Sequence, residues 1–194
     1  NEFAEENIIS LLEHIFLNSQ WETHKTIASK CIDVLLKFKI GEPCPKFDLI
    51  NQNKEKINLE YCNNKYTYIN FFATWNHRSL QEMGIIKKLK ENYDFINFVS
   101  INLDKNLKKY ESYIEGNSDF KWDICQASNL DLIVKDFDLN HLPTHILIDP
   151  NGKIAQYPAY PPSPLYNNQS IDVTFFNLKK NNSVKTPFGI GGKN

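Results

Sequence analysis

The run Tyr68-Ile69-Asn70-Phe71-Phe72-Ala73-Thr74 and the Trp75 that ends it constrain the fold more than any other part of the chain. Residues 65–73 are β-rich and almost continuously apolar, which suits a central strand covered on both faces. Directly after it, Asn76-His77-Arg78-Ser79 opens a helical pattern over 77–92, with Leu80, Met83, Ile86 and Leu89 at helical spacing. Asn76 stands where that helix begins. Its side-chain oxygen can accept from one of the first free N–H groups, so it reads as the helix cap.

The same reading extends along the chain. Residues 3–38 predict two amphipathic helices interrupted at Asn18-Ser19-Gln20, the second over about 21–38. Gly41-Glu42-Pro43-Cys44-Pro45 stops the helix and forces extended chain. A short strand at Phe47-Asp48-Leu49 and a turn at 51–54 follow. Beyond the 77–92 helix, the pattern gives a strand over 95–103, helices over 105–115 and 128–138, and a strand over 144–149. Pro150-Asn151-Gly152-Lys153 turns the chain into a partner strand at 154–157, and a last helix spans about 170–180. Strands alternating with helices imply parallel pairing by crossover, and the terminal hairpin adds antiparallel strands. The expected fold class is α/β, a mixed central sheet flanked by helices. Residues 1–40 are expected to form a helical hairpin packed on the core, 41–180 the main domain, and 181–194 a flexible tail.

Composition excludes some functions. The net charge of the 194 residues is -1, and no basic patch alternates with aromatics, so no nucleic-acid partner is expected. No apolar run reaches the roughly 18 residues of a membrane span. The chain opens at Asn1 without Met, which reads as a processed fragment, with any leader or lipid-anchor cysteine upstream. The four cysteines, Cys31, Cys44, Cys62 and Cys125, are widely spaced and form no C-x-x-C. Cys31 shares a helical stripe with Ile27, Val34 and Leu35 and reads as a small buried hydrophobe. A Cys44–Cys62 bridge is open, since spacing does not decide connectivity.

Several motifs occur together in order. They are Gly41-x-x-x-Pro45-x-Phe47-x-Leu49, Phe71-Phe72-Ala73-Thr74-Trp75, Glu82-Met83, and Leu142-Pro143-Thr144 running on through Leu147-Ile148-Asp149-Pro150 to Gly152-Lys153-Ile154. With them, residues from about 41 to 180 resemble the TlpA/ResA-like branch of the thioredoxin superfamily, also described as redoxin or AhpC/TSA-like. The resemblance implies a thioredoxin-like sheet, a bacterial cell-envelope setting (periplasm or lipoprotein), and a cis-proline at Pro143 beside which extended peptide pairs. It also places the family's two catalytic cysteines at Asn76 and Ser79, and Gly84 where a proline usually follows Glu-Met. In the family a helix N-terminus lowers the thiol pKa, the thiolate attacks a disulfide, and a second cysteine resolves the product. Asn76 cannot ionise or attack, and Ser79 cannot exchange with a disulfide. Without thiols, the acid matching Glu82 is expected to bond a nearby hydroxyl or amide, or to protonate if buried.

Three function classes follow. The first is a redox-inactive module that binds an envelope protein or extended peptide, or acts as a scaffold, with a groove at Trp75, Asn76, His77, Arg78, Ser79, Glu82, Leu142 and Pro143. The second is a thiol-disulfide or peroxidase-related activity through a displaced cysteine, Cys44, Cys62 or Cys125. The third is a small-molecule or metal-binding domain, since His77, His141 and His145 flank the same junction with Glu82 and Asp138. Soft-metal sites of that kind rely on thiolates, so no metal and no cofactor is assigned. The first class is preferred, and catalytic residues are set at none.

Overall fold

The computed structural model describes residues 2–58 and 64–184. Helices α1 (Glu2–Asn18) and α2 (Glu22–Lys37) pack against each other and precede strands β1 (Asp48–Ile50) and β2 (Lys56–Asn58). Then come β3 (Tyr66–Phe72), α3 (His77–Asn92), β4 (Ile96–Asn102), α4 (Leu107–Glu115), β5 (Asp123–Ala127), α5 (Leu130–Asp136), β6 (Thr144–Ile148), β7 (Ile154–Gln156) and α6 (Ile171–Val184). The strands form one sheet in the order β2-β1-β5-β4-β3-β6-β7. The β3–β4 and β4–β5 pairs are parallel, and the β1–β2, β1–β5, β3–β6 and β6–β7 pairs are antiparallel. This is the mixed sheet expected from the sequence, with a thioredoxin-like arrangement.

The apolar run predicted as a central strand is β3, buried along its length after Tyr66. Because its side chains alternate, it builds two cores. Ile69 and Phe71 join Phe47, Val99, Ile101, Phe137, Ile146 and Ile148 on one face. Tyr68 and Phe72 join Met83, Ile86, Phe98, Leu147, Ile171 and Phe175 on the other. α3 and α6 thus cover the second face, while Ile133 of α5 covers the first.

Two strands were not read from the sequence. β5 has five residues and begins on an exposed Asp123, with a half-buried Gln126 further along. β2 has three residues at the sheet edge. Both hold position by backbone pairing with β1 and β4, which hydrophobic periodicity does not record.

Cys31 corrects an expectation: it is exposed. The inward face of α2 runs one position over, through the buried Ala28 and the half-buried Ile32 and Leu35, to Phe38 just past the helix. Ile27 is consequently turned outward. The far end of the segment is well anchored. Phe38 is 4% exposed, with its ring centroid 4.1 Å from Tyr157 and 5.5 Å from Phe137. The connector then pairs with the β6–β7 turn: Gly41 N–H donates to Ile154 O at 2.8 Å, Ile154 N–H to Glu42 O at 2.8 Å, and Cys44 N–H to Gly152 O at 3.0 Å. Gly41 (φ 90°) and Gly152 (φ 80°) adopt the left-handed backbone on which these two tight segments depend.

Removing the Phe38 ring opens a cavity between these aromatic rings. Phe38→Ala is expected to cost about 3–5 kcal/mol, the range for a large buried aromatic. Urea unfolding followed by circular dichroism measures it.

Candidate functional site

The junction from β3 to α3 is held from three sides. Thr74 N–H donates to both oxygens of Asp104, at 3.2 and 2.9 Å. Asp104 is buried just past β4 and also accepts from Asn102 Nδ2 at 2.8 Å. Asn76 N–H donates to Ala73 O at 3.1 Å. This tight loop turns Trp75 outward, where it is 66% exposed.

Asn76 uses both ends of its amide. Its oxygen accepts from Ser79 N–H at 2.9 Å, which caps α3. Its Nδ2 donates to Leu142 O at 3.1 Å. The Leu142–Pro143 peptide bond is cis, as is Tyr157–Pro158. One side chain therefore satisfies the helix terminus and ties it to the segment entering β6.

The inward stripe of α3 is Ser79, Glu82, Met83, Ile86 and Leu89, so its first turn sends polar groups into the protein. Ser79 is 0% exposed and Glu82 is 1% exposed. Burying a carboxylate is costly unless donors surround it. Three converge here: Arg78 Nε at 3.2 Å and Ser163 Oγ at 3.0 Å on Oε1, and His145 Nε2 at 2.9 Å on Oε2. The Ser163 hydroxyl is a partner of the kind expected from the sequence. The His145 contact is new. His145 lies on β6, is buried, and stacks on Tyr68 with centroids 5.3 Å apart and planes 14° apart. Tyr68 in turn donates its hydroxyl to Tyr160 O at 2.9 Å. Burial, and secondarily the Glu82 charge, holds the Tyr68 phenol well above its usual range.

The other predicted site residues lie toward the surface. His77 is exposed and bonds Gln81 at 3.1 Å. Arg78 reaches Glu82 from the surface, with 58% of its side chain exposed. His141 is exposed and its carbonyl accepts from Thr144 Oγ1. The three histidines thus face different surroundings, and among the described residues no three His, Cys, Asp or Glu side chains gather as a metal site. Asp138 (φ 45°) sits in the loop after α5, where its carboxylate accepts from Asn140 Nδ2.

Beside Trp75 lies a groove of about 520 Å³. Leu103, Leu130, Val134, Leu139 and Leu142 line it, with Asp104, Lys105, Asn106, Lys109, Asp131 and Asn140. Of the predicted groove residues it takes in Trp75 and Leu142; Ser79 and Glu82 are buried beneath the helix. The groove opens outside the carboxyl ends of the adjacent parallel strands β3 and β4, where ligands of α/β sheets bind. That rule is the signal by which Leu103 and Lys105, just past β4, were detectable in the sequence.

Of the cysteines, Cys125 lies in the core on β5. Burial, then the nearby Asp123 charge, pushes its thiol up to about 12. Cys44 is buried beneath the β6–β7 turn, and Cys62 lies outside the described residues, so the proposed bridge has one described end.

Glu82→Ala removes the carboxylate that answers His145 and Ser163. It is expected to destabilise the fold by about 1–3 kcal/mol for each buried polar group left without its partner. Chemical denaturation of both proteins checks this.

Comparison with known proteins agrees with the geometry. The sequence model of a family described as thioredoxin-like matches residues 63–154. The thioredoxin-like protein YneN of Bacillus subtilis is 27% identical over 137 residues, covering 69% of this chain and 77% of YneN. The thiol-disulfide oxidoreductase ResA of Bacillus thuringiensis is 25% identical over 122 residues, covering 62% of this chain and 69% of ResA. A crystal structure of a thioredoxin-like protein from Bacteroides caccae superposes with a TM-score of 0.68 at 18% identity, over 89% of this chain and 62% of that one. Sheet order, matched segment and relatives converge on a thioredoxin-like fold, with sequence similarity to the ResA type of thiol-disulfide oxidoreductase.

Proposed function

We propose that this protein is a thioredoxin-fold module without thiol chemistry of its own. It binds an extended peptide or protein segment in the groove beside Trp75, in a bacterial cell envelope. The envelope setting rests on the family resemblance. The observation that carries the reading is the state of Asn76 and Ser79, the positions that resemblance assigns to the catalytic cysteines. Asn76 has its amide committed to Ser79 N–H and Leu142 O, and Ser79 is sealed under the helix. Neither offers a thiolate, the form that disulfide exchange requires.

A displaced cysteine finds no support at Cys125. A thiol near 12 is almost wholly protonated at neutral pH, and the thiolate is the reacting form. Cys44 lies in the apolar core. The groove supports peptide binding instead. It has an exposed aromatic, an aliphatic floor, and a rim formed by the segment that enters β6. Recognition of extended chain at such a place combines backbone pairing with pockets for side chains.

Two measurements test the reading. With dithiothreitol as electron source, insulin reduction should not exceed the protein-free blank. Turnover that disappears in Cys44→Ser, Cys62→Ser or Cys125→Ser would overturn the redox-inactive assignment. Titration of extended peptides into isotopically labelled protein should shift the amide signals of residues 75–79, 103–106 and 141–144. Uniform silence of those signals would remove the binding role.

A further inference from the structure

The groove that the peptide-binding reading uses has an uneven charge. Two acids line it: Asp104 is buried in a hydrogen-bond network, and Asp131 is exposed. Asp104 is 4% exposed and accepts from Thr74 N–H and Asn102 Nδ2. Asp131 stands in the first turn of α5, where a negative charge complements the positive end of its own helix. The two cations that line the groove are not answered. Lys105 follows β4 and Lys109 lies in the first turn of α4, and neither makes an ion pair among the described residues.

The local helix adds to this excess. α4 has no acid in its first turn, and its N-cap residue Asn106, also in the groove lining, makes no side-chain capping bond. Lysine near a helix N-terminus adds to the partial positive charge there. The groove therefore joins an aliphatic floor and the Trp75 ring to one wall that carries two exposed lysines without an ion pair among the described residues.

We propose that the groove selects an extended peptide segment in which a large apolar side chain is flanked by carboxylates. This rests on the peptide-binding reading and specifies its ligand. The apolar side chain lies on Leu103, Leu130, Val134 and Leu142 against Trp75. The carboxylates face Lys105 and Lys109. An acidic peptide gains from both features at once, whereas a basic one meets the lysine wall and a neutral one gains only the floor.

The test uses the full chain and three fluorescein-labelled octapeptides that share a central Phe-Leu and differ only in flanking Asp, Asn or Lys. Fluorescence anisotropy reads their binding, with a thymidine oligonucleotide as a second anionic probe. At low salt the Asp peptide should bind about fivefold to tenfold more tightly than the Asn peptide, as two partly exposed ion pairs allow. That advantage should fade near about 1 M salt, where the screening length falls to about 3 Å. It should also vanish in Lys105→Gln/Lys109→Gln. Asp131→Asn should strengthen binding of the Asp peptide. Equal binding of the three peptides, a preference for Lys flanks, tighter binding of the oligonucleotide, or an Asp preference that survives the double substitution would overturn the charge selection and leave the peptide groove standing. No binding of any peptide up to about 1 mM, a dissociation constant worth only about 4 kcal/mol, would overturn both.

Discussion

A single carboxylate organises the region around the helix junction. Glu82 is buried on α3, and its partners come from that helix and two other parts of the chain: Arg78 from the same helix, His145 from β6, and Ser163 from the segment before α6. An uncompensated carboxylate in that position would be untenable, so its partners must be held where they are. Through His145 the constraint reaches Tyr68 on the central strand, and through Tyr68 the backbone at Tyr160. The helix, the strand after Pro143 and the long connection to α6 therefore form one polar unit inside an otherwise apolar face.

Asn76 complements this unit at the surface. Where Glu82 joins α3 to β6 from within, Asn76 joins them from the rim, through Ser79 N–H and Leu142 O. A cysteine side chain could not reproduce both bonds, since a thiol is a weak donor and a weak acceptor. Asn76 thus supplies a structural tie of its own at this helix terminus. This links the local sequence Trp75-Asn76-His77-Arg78 to a more firmly braced helix terminus, with Trp75 left projecting beside the groove.

Much of this architecture was legible in the sequence. The pattern over 77–92 coincides with α3 because the helix has a capping residue at one end and a clear apolar period behind it. β3, β4 and the β6–β7 hairpin announced themselves by apolar runs and by the Asp149–Lys153 turn. β5 did not, because its pattern of exposed, buried and half-buried positions is set by its neighbours β1 and β4. The phase of α2 was missed by one residue, because Ile27 and Ala28 are both apolar and periodicity alone does not choose between them. The Glu82–His145 contact spans 63 residues. Its one trace was a histidine in a strand of otherwise apolar residues, where a buried polar group must find a partner. The groove lysines carry no motif and became visible only once β4 and α4 had been placed.

The pairing of the 41–44 connector with the β6–β7 turn also determines how the protein responds to tension. A pull on the α1–α2 segment is transmitted through Phe38 and the backbone bonds of Gly41, Glu42 and Cys44 to residues 152–154. These bonds join neighbouring extended segments, and the bridge between Pro43 and Lys153 is antiparallel. The strain then passes into β6, the strand that carries His145 and follows Pro143. A load on the helical segment is thereby shared with the strand that leads away from Pro143.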